Sequence, residues 1–285
     1  MEVKAINTQR ILSPTQISLA DYVINPYRGC EFGCVYCYSQ SNKNLKKDEF
    51  FRFLGIKLNA ISILERELKY KKPKRVLLGS TTECFQNQEI KHKLTKKILE
   101  LLNAHSIPYT ILTKSHLIRH YLDTIAENKE NKIYFTLNFH SNNIIRAFEL
   151  NSSLLQERLT TIREIVKNKI ILRIHAGPFV PFVSSLEEIF KIIPKETNEL
   201  GVELYHNKQG NFKKVLLLTE RHLGEEVSKK LKSIYKDKTN YLDFADKLKS
   251  QLKSFAKTSQ IKTFFTLADF NEFYLPSMNY EKSLF

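Results

Sequence analysis

Between residues 57 and 206 short apolar runs alternate with amphipathic stretches, an order that few soluble architectures tolerate. RVLLGS (75–80), YTILT (109–113), KIYFTLNF (132–139), KIILRIH (169–175) and GVELYH (201–206) are short and apolar, and read as strands. A further strand is expected near 22–27. Helices are expected over 57–71, 91–105, 115–128, 153–168 and 185–193; Leu94, Ile98, Leu101 and Leu102 recur at helical spacing in the second. About six βα units imply a parallel sheet with right-handed crossovers. Eight units close a barrel and six do not. The expected α/β fold is therefore a partial (β/α)6 TIM-like barrel, open along one side, with a doubly wound flat sheet as the alternative.

The alternation stops near residue 210. TERHLGEEVSKKLKSIYKD (219–237) and YLDFADKLKSQLKSF (241–255) read as two charged amphipathic helices, IKTFFTLADF (261–270) as a further strand, and the aromatic last fifteen residues as a packed tail. This divides the chain into a barrel core, 1–210, and a mainly helical C-terminal extension, 211–285. The polar N-terminus carries no apolar signal-peptide core, and no run approaches the ~18 apolar residues that span a bilayer. A cytoplasmic protein with no membrane partner is expected. Lys plus Arg exceeds Asp plus Glu by 15, which favours anionic partners, nucleic acid among them. The lysines are spread out and no arginine cluster accompanies them, so a simply solvated surface is the plainer reading of the charge.

Three of the four cysteines, Cys30, Cys34 and Cys37, fall within NPYRGCEFGCVYCYSQ (25–40). In a reducing compartment such clustering points to metal ligation rather than disulfides. A structural zinc site normally closes with four ligands. A four-iron cluster held by three thiolates leaves one iron open for a further ligand, as catalysis requires. Zinc with a distant fourth ligand, or unliganded buried thiols, stay open as readings of the spacing. Gly29 and Gly33 relieve crowding beside the ligands, and Tyr36 and Tyr38 flank Cys37.

Cys30-x3-Cys34-x2-Cys37-Tyr38, preceded by Asn25-Pro26-Tyr27-Arg28-Gly29, resembles the radical S-adenosylmethionine superfamily. More narrowly it is similar to the branch of spore photoproduct lyase and the DNA repair photolyase-like proteins. Weaker similarity continues through LGSTTECFQNQE (78–89), TKS (113–115), ERL (157–159) and RIHAGPFVP (173–181), and so covers roughly 20–185. The resemblance implies a partial barrel with a 4Fe–4S cluster in the loop after its first strand. The amino and carboxylate groups of S-adenosyl-L-methionine would chelate the open iron. One-electron reduction, from a flavodoxin- or ferredoxin-type donor, would yield a 5′-deoxyadenosyl radical that abstracts hydrogen from substrate.

Barrel chemistry is built at the C-terminal ends of strands. There the resemblance implies Glu83 for the cofactor's amino group, with Ser80, Thr81 and Thr82 as hydrogen-bonding neighbours. Lys114 could reach the cofactor carboxylate or an anionic substrate, while Ser115 suits a helix cap. Thr136 and Asn138 share one strand face and could bind ribose; His140 reads as a surface residue. Arg158 matches a family arginine, although a solvated helical arginine fits as well. Arg173 and His175 lie on one face by period two, and charge inside an apolar strand needs a cavity or a partner. Arg173 is thus a cofactor-binding candidate and His175 a substrate-binding one; relatives tend to carry Asp where His175 stands. His116 and His120 are four apart, but no third ligand follows, so they are not read as a metal pair.

One departure bears on the reaction. Spore photoproduct lyases carry a hydrogen-donating cysteine where Ser80 stands, and a serine O–H bond is too strong for that task. Cys84, the fourth cysteine, is either a displaced catalytic donor or a small buried core residue. The expected function is a radical enzyme acting on a nucleic acid or nucleotide, or else on a metabolite or peptide. The competing class is a non-catalytic iron–sulfur or zinc protein that binds nucleic acid.

Overall fold

The computed structural model describes residues 1–41, 50–207 and 211–267. Four short strands open the chain, β1 (Glu2–Ile6), β2 (Ser13–Pro14), β3 (Tyr22–Ile24) and β4 (Tyr27–Arg28), followed by β5 (Phe53–Lys57) and α1 (Ala60–Leu68). The alternating region supplies β6 (Val76–Leu78), α2 (Asn87–His92), α3 (Leu94–Ala104), β7 (Tyr109–Thr113), α4 (Leu122–Ala126) and β8 (Lys132–Thr136). It continues with α5 (Asn142–Phe148), α6 (Leu155–Lys167), β9 (Ile171–Phe179), α7 (Leu186–Ile192) and β10 (Glu199–Leu204). Three helices, α8 (Phe212–Leu223), α9 (Glu225–Ile234) and α10 (Lys238–Thr258), lead to β11 (Lys262–Thr266).

The main sheet runs β11-β10-β9-β8-β7-β6-β3-β2, parallel from β3 to β11 with β2 antiparallel at the edge. Successive strands are neighbours throughout and the order never reverses. That excludes the doubly wound alternative, which needs a switch point. Among the described residues the edge strands β2 and β11 do not pair, so the sheet stays open. A small sheet, β1-β5-β4, lies outside it. Ile111, Ile133, Phe135, Leu172, Ile174, Leu200 and Val202 are buried on one face. Alternate positions, including Tyr134, Arg173, His175, Glu199 and Glu203, form the other face and are largely polar.

Two helix expectations change for identifiable reasons. The stretch 91–105 is broken at Lys93, which is left-handed at φ 48°, and the fully buried Glu89 carboxylate accepts the Thr95 and Lys96 N–H groups at 2.9 and 3.1 Å. A side chain from the preceding helix thereby caps α3. Likewise 219–237 is not continuous, because Gly224, at φ 93°, separates α8 from α9. The stretch 115–128 begins as a 3-10 turn over His116–Tyr121, with Ser115 Oγ accepting the Leu117 N–H as the expected cap. Helix α5 and the strands β1, β2, β4 and β5 were not foreseen.

The described part of 211–267 shares the core. Tyr241, Ala245, Leu248 and Leu252 of α10 are buried, Phe255 stacks on Phe190 with centroids 4.2 Å apart, and β11 extends the sheet beside β10. The expected aromatic tail lies outside the described residues. No helix among them is long and apolar enough to cross a membrane.

Candidate cluster and cofactor site

The cysteine loop follows β3 and β4. Cys30 and Cys34 are buried, Cys37 is half-buried, and all three are free thiols. Gly29 has φ +87°, and a Cβ there would lie 1.9 Å from the Phe53 carbonyl oxygen, so only glycine fits before Cys30. Within the loop Cys37 N–H donates to Cys34 O at 3.1 Å, and Cys30 N–H reaches Phe50 O at 3.1 Å. Burial pushes the Cys34 thiol up to about 12, against the pull of Lys114. Burial likewise raises Cys30, reinforced by Cys34, and raises Cys37. Thiolate ligation of a metal centre would have to release these protons against that burial. Among the described residues no three Cys, His, Asp or Glu side chains gather round a single ion.

Behind the loop, the turn after β6 is tied down by Asn25. Its Oδ1 accepts the Thr81 and Thr82 N–H groups at 3.0 and 3.3 Å, and its Nδ2 donates to Ser80 Oγ at 3.1 Å. Tyr38 hydroxyl donates to the Ser80 carbonyl. Lys57 Nζ donates to Asn25 O at 2.7 Å, and burial lowers its pKa to about 8. Glu83 is buried. Its Oε1 accepts Thr113 Oγ1–H at 2.7 Å and Phe85 N–H at 3.0 Å, while Oε2 takes only Lys114 N–H at 3.2 Å. Oε2 therefore keeps acceptor capacity for an ammonium group.

Cys84 is fully buried in the apolar core, and burial raises its thiol well above the usual range. Donating hydrogen to a substrate would need access that this burial does not provide. Thr82 is buried against the Tyr27 carbonyl, and Thr136 is buried at the end of β8.

Across the loop stands a buried charge cluster centred on Glu149, just beyond α5. Lys114 Nζ lies 3.1 Å from Glu149 Oε1, 2.7 Å from Tyr36 Oη and 3.5 Å from Cys34 Sγ. Tyr36 donates to Glu149 and accepts Asn138 Nδ2–H at 2.8 Å. Arg158 Nη2 pairs with the other Glu149 oxygen and also meets Ser152 Oγ at 2.6 Å. Burial alone would raise Glu149, but Arg158 and Lys114 outweigh it and hold the carboxyl near about 2. Arg158 and Glu149 are both wholly buried, so Arg158 is not the solvated helical residue its surroundings in sequence allowed. Asn138 Oδ1 and Arg158 Nη1 are buried without partners, and two cations face one carboxylate. Such a site favours an added anion.

Arg173 is placed differently from its expected role. Its guanidinium pairs with Glu199 at 2.6 Å and is sandwiched between Tyr134 and Phe264, 4.3 and 3.9 Å from their ring centres. Glu199 and Tyr134 lie on the adjacent strands β10 and β8 and Phe264 on β11, so the guanidinium already has an ion pair and two ring faces within the sheet. His175, two residues on in the middle of β9, shares the polar face, with Nε2 3.5 Å from Glu203 Oε2. Burial, then Arg173 and Lys114, lower its pKa to about 4.

The His175 shift has a measurable consequence. Below its ordinary value of about 6.5, and down to about 4, the unfolded chain takes up a proton that the folded chain refuses. Stability is then full above this window and falls as pH drops through it. The loss is roughly 2–3 kcal/mol, and His175→Gln should remove it. Chemical denaturation of both proteins at about pH 7.5 and about pH 4.5 checks this; equal pH dependence would refute it.

An open, sequentially ordered α/β sheet with a three-cysteine loop after its first parallel strand defines a class of cofactor-dependent enzymes. The chain matches the Radical SAM superfamily over residues 24–193, more than half its length, and belongs to that family as a radical SAM enzyme. The family implies S-adenosylmethionine and a 4Fe–4S cluster. An uncharacterised protein of Methanocaldococcus jannaschii is 26% identical over 190 residues, covering 66% of this chain and 72% of that one. An uncharacterised protein of Mycobacterium bovis is 28% identical over 169 residues, covering 56% of this chain and 50% of that one. Among solved structures, a cysteine-to-serine mutant of spore photoproduct lyase superposes with TM-score 0.59 at 19% identity, over 78% of this chain and 66% of the lyase. Spore photoproduct lyase complexed with dinucleoside spore photoproduct gives TM-score 0.58 at 18% identity, with the same coverage. The chain thus spans about half the mycobacterial relative and about two thirds of the lyase. At these identities the likeness is one of fold.

Sequence reasoning missed Asn25 as a brace, the Tyr36 hydroxyl and, above all, Glu149. Glu149 follows a helix that went unrecognised, and its partners Lys114 and Arg158 lie 35 and 9 residues away. Only an isolated acid after the apolar stretch IIRAF could have drawn notice.

Proposed function

We propose that Cys30, Cys34 and Cys37 hold a 4Fe–4S cluster, and that the chain reductively cleaves S-adenosyl-L-methionine to a 5′-deoxyadenosyl radical that abstracts hydrogen from substrate. The observation that supports this reading is a loop of three clustered free thiols, Cys34 of which lies 3.5 Å from Lys114 Nζ, beside the buried Glu83 carboxylate that accepts the Lys114 N–H. Glu83 Oε2 would accept the ammonium group of the cofactor's methionine moiety. Lys114 and the partnerless Arg158 Nη1 supply positive potential for its carboxylate, and Thr136 and Asn138 are hydrogen-bonding groups for ribose. In this reading the open sheet is a partial (β/α)6 barrel, and residues 211–285 are its C-terminal extension. His175, with Glu203, presents a polar face toward substrate. The expected setting is the reducing cytoplasm, with a flavodoxin- or ferredoxin-type electron donor. The substrate is a nucleic acid or other anionic compound, in keeping with the net charge of +15.

The test is production of 5′-deoxyadenosine by anaerobically reconstituted, reduced protein. Its absence under conditions that assemble the cluster would sink the proposal. Glu83→Ala should leave the cluster intact while weakening cofactor binding by ~1.5–3 kcal/mol, the worth of a charge-assisted contact in a desolvated site. Calorimetric titration with unchanged affinity would show that Glu83 does not hold the ammonium. Ser80 separates this enzyme from spore photoproduct repair: the dinucleoside photoproduct should not be converted efficiently into two thymines. Multiple-turnover repair by the wild type would contradict that, and a further loss in Cys84→Ala would name Cys84 as donor.

A further inference from the structure

We propose that Glu149 is a positioning residue that assembles the cysteine loop before any iron arrives, an inference that rests on the cluster-binding role of that loop. Residues 30–37 have little order of their own; the Cys37-to-Cys34 turn is local, and most of their other anchors come from outside. The short strip 148–152 provides several of them. Val35 N–H donates to Phe148 O at 2.9 Å, Asn151 N–H to Phe32 O at 3.1 Å, and Asn151 Nδ2 to Glu31 O at 2.7 Å. Cys34 and Glu149 pair as an isolated antiparallel bridge. Residues 31–35 are thus laid against the strip like an added strand.

Glu149 is where this backbone docking meets side-chain chemistry. It lies opposite Cys34 in the bridge, whose hydrogen bonds come from its neighbours Phe148 and Asn151, while its carboxylate receives the Tyr36 hydroxyl from the same loop. That carboxylate also receives Lys114 at 3.1 Å, Ser152 Oγ at 3.2 Å and the Arg158 guanidinium. A wholly buried carboxylate is costly unless it is paired and hydrogen-bonded. Here each compensating contact fixes something the cluster needs. Tyr36, which stands between Cys34 and Cys37 in the chain, is anchored by its hydroxyl, and Lys114 is held 3.5 Å from Cys34 Sγ. Arg158 and Ser152 keep the strip itself in place. A residue serving only to neutralise Arg158 would not also have to receive a hydroxyl from the cysteine loop and the ammonium beside Cys34.

Hydrogen exchange of the apo-protein, followed by mass spectrometry, reads this directly. Tyr36→Phe removes one hydroxyl without changing charge and should leave the sheet folded. We expect peptides covering 30–37 and 148–152 to exchange ~5–10-fold faster, the worth of one buried hydrogen bond. Peptides from β8 should be unchanged, and cluster assembly on added iron and sulfide should slow. Glu149→Gln, which also breaks the buried pair with Arg158, should accelerate 30–37 and 148–152 more than β8, on top of a general loss of stability. For Tyr36→Phe, equal acceleration in β8 would mean a merely global structural role, and wild-type exchange in 30–37 would mean no positioning role; either overturns the inference. Wild-type protein that binds no iron would refute the cluster reading instead, and the exchange comparison would still decide whether Glu149 orders the loop.

Discussion

Cys30→Ala, Cys34→Ala and Cys37→Ala are each expected to abolish the broad iron–sulfur absorbance near ~400 nm and the uptake of about four irons per chain, while Cys84→Ala keeps both. The contrast follows from position. The first three thiols share one loop, with Cys34 Sγ 3.5 Å from Lys114 Nζ. Cys84 lies instead in the apolar core, with its carbonyl held by Thr95 Oγ1 at 2.7 Å. Removing that sulfur should cost stability through a small cavity, not through lost ligation. Stoichiometric zinc in a fully folded protein that takes up no iron would overturn the prediction, as would cluster loss in Cys84→Ala alone.

Arg158→Met should destabilise the protein by ~3–5 kcal/mol, the usual result of removing one partner from a buried ion pair. Arg158 has no exposed side-chain area and binds Glu149, Ser152 Oγ and, through Nε at 2.8 Å, the Ser153 carbonyl. Without it the buried carboxylate keeps Lys114 but loses its shortest charged contact. A methionine of similar length fills the space without replacing the charge. Denaturant unfolding of the apo-protein checks this. A loss under ~1 kcal/mol would match an exposed pair and would contradict the buried cluster.

Local patterns made the sheet elements legible. YTILT is a strand over the predicted residues, and 132–139, 169–175 and 201–206 became β8, β9 and β10 with shifted ends. Their apolar faces are continuous in sequence, so period two or a short apolar run is enough to find them. The N-terminal strands were hidden because β1 is mostly exposed and β2 and β4 are two residues each, too short for any period. Capping by Glu89 and the left-handed Lys93 broke a helix that hydrophobic spacing alone would have continued.

By itself the sequence determined the βα alternation and the three-thiol loop, because both are written in neighbouring residues. It also placed Glu83 and Lys114 at strand ends, where parallel sheets present their chemistry. Only the tertiary structure decided that Arg173 is spent on Glu199, Tyr134 and Phe264, and that Cys84 lies in the core. It alone gathered Glu149, Tyr36, Lys114 and Arg158 into one buried network. Those outcomes depend on contacts between residues far apart in the chain. Burial then sets the sign and strength of each charge, and no local spacing encodes that.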